Sequence, residues 1–147
     1  MTTPHRKKAN MTSTTSSVGN ASLVRDRIAM ALLLLSAAGA LVSFLGSIGA
    51  AVTASSETQV VEIWRAYGYL VFAGLFVLLA FWPRRFPGVW ELAIFHKVAL
   101  TISALTIISG AADAGTIVVA DGLVAIFLIV SYVLTRGYAA WARLRAS

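Results

Sequence analysis

Residues 28–56 read IAMALLLLSAAGALVSFLGSIGAAVTASS and contain no charged side chain. A helix rises about 1.5 Å per residue, so this stretch is long enough to cross a hydrocarbon layer of about 30 Å with length to spare for tilt. A water-soluble helix of that length presents a polar stripe, whereas no face of this one carries charge. The rest of the 147-residue chain agrees, with 59% hydrophobic and 12% charged residues against roughly 45–50% and about 25% in soluble domains.

Outward from that stretch, residues 63–82, 89–109 and 116–135 form three further apolar runs, each close to the ~20 residues that a crossing requires. TASSETQVVE, PRRFPG and GAADAG lie between the runs and bring together the charges, prolines, glycines and small polar residues that end helices. The predicted fold is all-α: an integral membrane four-helix bundle, up-down because connections this short join antiparallel neighbours. The transmembrane domain is expected over residues 28–138. A disordered, basic, Ser/Thr-rich arm over residues 1–27 would precede it, and a short basic tail over residues 139–147 would follow.

The basic residues set the orientation. Arg6, Lys7, Lys8, Arg25 and Arg27 precede the first run, Arg84 and Arg85 follow the second, and Arg136, Arg143 and Arg145 follow the fourth, so alternation puts all of them on one side. Cytoplasmic flanks retain Lys and Arg, which predicts a cell (plasma or inner) membrane location with both termini cytoplasmic. The opposite side holds Glu57, Glu62 and Asp113. Trp64 is expected to mark the outer interface, and Trp82, Trp90 and Trp141 the inner one. The basic arm leads directly into a membrane helix, so its expected partner is anionic lipid headgroups and not nucleic acid. The run over residues 28–52 exceeds the ~7–15-residue core of a signal peptide, which predicts an anchor that is not cleaved. The chain has no cysteine, which excludes disulfides and thiolate metal sites.

In lipid, helices associate through small residues that let backbones approach. Gly39, Ser43, Ser47 and Ala51 recur every four residues, and Ala66, Ala73 and Ala80 every seven. Both rows predict helix seams.

The third run opens with WELAIFHKVAL, residues 90–100, and holds three ionisable groups that point in different directions at 100° per residue. Glu91 falls in the first turn, where a carboxylate favours the helix N-terminus and can meet Arg84 or Arg85. Lys97 lies about 12 Å beyond Val89. A central lysine costs roughly 2.5–3.5 kcal/mol on insertion scales, and each Leu, Ile, Phe or Val returns roughly 0.3–0.6, so the apolar residues of this run about offset it. The face of Lys97 carries Ala93, Thr101, Ala104 and Ile108, with Leu92, Phe95 and Ile102 opposite. Two readings stand: the lysine faces the bundle interior, or its stem snorkels the charge to the headgroups.

Asp121, on a face with Ala125, Leu128 and Tyr132, is the candidate partner, and Arg65 competes for it. Counted from the ends of the runs, Lys97 and Asp121 differ in depth by about 10 Å. His96 is a residue type suited to proton relay or to metal or haem ligation, but the other histidine, His5, lies in the arm and a zinc site needs more ligands. No cofactor or metal is therefore expected, and His96 reads as structural.

No phosphate-binding glycine loop, serine elbow or paired-carboxylate motif is present. The leading expectation is a non-enzymatic accessory or assembly subunit that binds another membrane protein or a second copy of itself. The alternative is a small proton- or ion-coupled transporter using Lys97 and Asp121. Four crossings with short loops over residues 28–138 resemble the DoxX-like small membrane proteins. That resemblance is one of architecture and implies a third reading, a quinone-linked oxidoreductase component, without assigning any residue a role.

Overall fold

The computed structural model describes the backbone of residues 9–145 and the side chains of residues 21–142 and 145. Its helices are α1 (Ala9–Thr53), α2 (Gln59–Phe81), α3 (Val89–Thr106), α4 (Ala114–Thr135) and a short α5 (Ala139–Leu144). α1 packs along α2 and α3 along α4; α1 also meets α4, while α2 touches α3 only narrowly. The result is two helical hairpins side by side, with up-down connectivity. Ala21–Thr53, Gln59–Phe81, Val89–Thr106 and Ala114–Thr135 are each long and apolar enough to cross a membrane.

Several expected boundaries shift. Helix α1 begins at Ala9, so residues 9–27 are helical and not a disordered arm; adding turns to a helix that is already nucleated avoids the nucleation cost. Residues 1–8, with His5, Arg6, Lys7 and Lys8, lie outside the described residues. Asp26, on α1, accepts two hydrogen bonds from Arg84 Nη2, at 2.7 and 3.1 Å, which ties the start of the bundle to the α2–α3 turn. In the expected tail, residues 139–144 form α5.

The end of the bundle that carries this turn is the packed end. Leu33, Ala37, Phe76, Leu79, Ala80, Trp90, Ala93 and Leu128 form one buried cluster there. Trp90 is 1% exposed, which corrects its expected place in an interfacial belt. The PRRFPG turn folds over the start of α3, so the Trp90 ring points inward and its Nε1 donates to the Pro83 carbonyl at 2.8 Å. Trp64, Trp82 and Trp141 stay exposed. Helix α4 ends in a left-handed Arg136 (φ 53), and the Gly137 N–H returns to the Tyr132 carbonyl at 2.9 Å, a common helix termination. The alanine row of α2 is buried as its spacing predicts, at Ala66, Ala73 and Ala80.

Gly137 is the tightest point of this end. A Cβ there would lie 2.6 Å from a Tyr132 ring carbon and 2.7 Å from Trp90 Nε1. Gly137→Ala is expected to lower the thermal unfolding temperature in detergent, by an amount equivalent to the roughly 1–3 kcal/mol typical of overpacking. Gly39→Ala, whose Cβ would meet nothing within 4 Å, is expected to leave that temperature unchanged in the same assay.

Candidate functional site

Lys97 lies on the buried stripe of α3 with Ala93 and Ala104. Those alanines, and Gly122 opposite Thr101, let α4 approach closely enough to place Asp121 beside the lysine. Lys97 Nζ donates to Asp121 Oδ1. The two side chains are 8% and 13% exposed. The ring of Phe72, from α2, faces the ammonium with its centroid 4.4 Å away, a second favourable contact for the charge. Leu92, Phe95 and Ile102 point outward. Of the two readings of Lys97, the structure has the interior one.

The expected depth gap between the two charges came from misplaced helix ends. α3 stops at Thr106, where the Ile107 and Ile108 N–H groups both return to the Ser103 carbonyl at 2.8 and 3.1 Å. α4 starts early, at Ala114. Measured from these ends, Lys97 and Asp121 differ by two residues of rise, about 3 Å, which the lysine stem spans. Arg65 does not compete: it pairs with Glu62 at 3.3 Å and Asp113 at 3.9 Å.

The ion pair forms part of the wall of a cleft of about 440 Å³ among the four long apolar helices. α1 contributes Ser36, Gly39 and Ser43, α2 contributes Tyr69 and Phe76, and α4 contributes apolar residues including Val124 and Phe127. The small-residue row of α1 therefore divides its roles: Ala51 is buried, whereas Gly39 and Ser43 line open volume. Below the cleft the packed end closes the bundle, and Ser131 Oγ donates to the Ala29 carbonyl at 3.4 Å between α4 and α1.

Glu91 stands apart from this site, whereas His96 borders it through the ring of Phe72. Glu91 accepts from the Tyr132 hydroxyl at 2.8 Å and from Trp141 Nε1 at 2.9 Å, and does not meet Arg84 or Arg85 as expected. Arg84 is engaged by Asp26, and Arg85 lies over the Phe86 ring. Glu91 thus fastens α5 to the bundle. His96 is exposed and packs against Phe72 with ring centroids 4.5 Å apart and the planes tilted by 43°. Among the described residues no three His, Asp or Glu side chains gather as a metal site.

Residues that the sequence reading passed over are Asp26, Phe72 and the hydrogen-bonding tips of Tyr132 and Trp141. Asp26 offered a signal, as an acid between Arg25 and Arg27; the others depend on contacts between distant helices. In comparisons with protein-family models, curated proteins and solved structures, the chain matches none.

Removing one partner of a buried ion pair strands the other charge and typically costs about 3–5 kcal/mol, whereas replacing both with apolar residues of similar volume is often neutral. Lys97→Met and Asp121→Leu are therefore each expected to lower the unfolding temperature in detergent sharply, and the double variant to recover most of the loss. A double variant as unstable as the single ones would show that the pair holds the fold together.

Proposed function

We propose that the protein crosses a bilayer four times and works as a small proton- or ion-coupled carrier whose binding element is the Lys97–Asp121 pair. One observation carries the reading: two opposite charges, nearly buried, on the wall of a cleft that no side chain fills. Ionisable groups at this depth are costly and tend to mark pathways for ions or substrates. Stability alone gives little reason to keep the pair, since apolar substitutes are often as stable.

The chemistry of such a site is exchange of partners. A proton taken up by Asp121 leaves the Lys97 ammonium without its counter-ion, and the site returns to neutrality only when Lys97 gives up a proton; a cation at Asp121 or an anion at Lys97 must likewise be balanced by a proton lost or gained at the other partner. The packing suggests which parts move. Each hairpin is held along its length by its own seam, while the two hairpins meet less extensively, so rocking of one against the other opens the cleft with the least disruption. Carriers built from paired helical units commonly move this way.

The basic end, with Arg84, Arg85 and Arg136, faces the cytoplasm in this reading, because cytoplasmic flanks retain positive charge. The accessory-subunit reading rests on apolar outer surface, which any spanning helix presents, so the cleft favours the carrier.

Proteoliposomes adsorbed on a capacitive sensor test the proposal. A pH jump is expected to give a transient current with the unsubstituted protein and none with the Lys97→Met/Asp121→Leu double variant. Equal currents from the two would contradict it.

A further inference from the structure

The cleft is open on one flank. The seam between α1 and α4 is closed near the packed end by Ser131 and Ala29 and by the cluster containing Leu33 and Leu128. Beyond that point, Leu35 and Gly39 on α1 and Ala120 and Leu123 on α4 line the cleft and are themselves exposed. Each pair is spaced by about one helical turn, so the two lips run along facing edges of the helices. In a membrane-spanning bundle this gap faces hydrocarbon, and what enters through it is dissolved in the bilayer.

The inner wall specifies the head of such a ligand. An ammonium has three donors. One of those on Lys97 is used by Asp121 Oδ1 and Phe72 occupies another side, while Oδ2 of Asp121 receives no hydrogen bond among the described residues. The pair has no net charge, so a charged head would add an uncompensated charge at low dielectric, which is strongly disfavoured. A hydroxyl both accepts from Nζ and donates to Oδ2, whereas a carbonyl or ether oxygen accepts only.

We propose that the cleft binds a neutral lipid bearing a hydroxyl group, which enters between α1 and α4 and bridges Lys97 and Asp121 through that hydroxyl. Its chain lies along the apolar wall formed by Ile117, Val124 and Phe127. The proposal rests on the reading of a membrane-spanning carrier and names the class of molecule that the same site takes.

The test uses the full chain in phosphatidylcholine vesicles, photolabelled with a diazirine-bearing 1-hexadecanol, with unlabelled hexadecanol, hexadecane, hexadecylamine and palmitate as competitors. The labelling that hexadecanol suppresses is expected to map to α1 and α4. Hexadecane should compete at least about tenfold less well, since it forgoes both hydrogen bonds of the bridging hydroxyl, and the two charged competitors should do no better than hexadecane. Gly39→Trp and Ala120→Phe, which fill the two lips and leave the ion pair intact, should each abolish the competed labelling. The Lys97→Met/Asp121→Leu variant should label without preferring the alcohol.

Labelling indifferent to both lip variants, stronger competition by amine or palmitate than by alcohol, or an alcohol preference that survives loss of the pair would each overturn the proposal. Hydroxyl-selective labelling without a pH-jump current leaves it standing and removes the carrier reading. A pair-dependent current without hydroxyl preference does the reverse.

Discussion

The Lys97–Asp121 ion pair is the constraint around which the bundle is arranged. Neither charge is tolerable alone in a low-dielectric interior, where the desolvation penalty is several kcal/mol per ion, so α3 and α4 must meet at one register. The alanines beside Lys97 and the glycine beside Asp121 permit that approach. Phe72 adds a polarisable face from the other hairpin, on α2, so the site draws on both halves of the fold. Cohesion comes from elsewhere, from the alanine seams within each hairpin and from the core at the basic end.

The two ends of the bundle divide the work. At the basic end Trp90 bonds to the Pro83 carbonyl, Gly137 admits the Trp90 and Tyr132 rings, Arg84 holds Asp26, and Glu91 gathers Tyr132 and Trp141. These contacts link α1, the α2–α3 turn, α3, α4 and α5 into one fixed base. Toward the opposite end the buried positions are alanines, such as Ala51, Ala66, Ala104 and Ala114, and the ion pair that joins the two hairpins there, Arg65–Asp113 at 3.9 Å, is exposed. A fixed base with a looser far half suits a site that must open and close, because regions with few interlocking contacts open at the lowest cost.

The four long apolar helices were legible from hydropathy, the first from a run of 29 residues without a charge. The face of Lys97 was legible as well, from small residues on one side and large apolar ones on the other. Its partner was not: Asp121 and Arg65 both stood within range, and a few residues of error at the ends of α3 and α4 inflated a depth difference of about 3 Å to about 10 Å. Trp90 was misplaced because a position near the end of a run says nothing about whether the following turn folds over the ring. The partners of Glu91 lie 41 and 50 residues away in the chain, and the nearer arginines looked more suitable until Asp26 took one of them. The cleft had no sequence signature, since its volume depends on how far α1 stands from α4.

The most direct test of the central interaction is solid-state NMR of the protein in lipid bilayers, with ¹⁵N at lysine Nζ and ¹³C at aspartate Cγ. Lys97 is the one lysine beyond residue 8, so its signal is readily assigned. Strong nitrogen–carbon dipolar dephasing that disappears in Asp121→Asn is the expected result. A Lys97 nitrogen that shows contact with lipid phosphorus and none with an aspartate carboxylate would contradict the buried pair, and with it the site built around it.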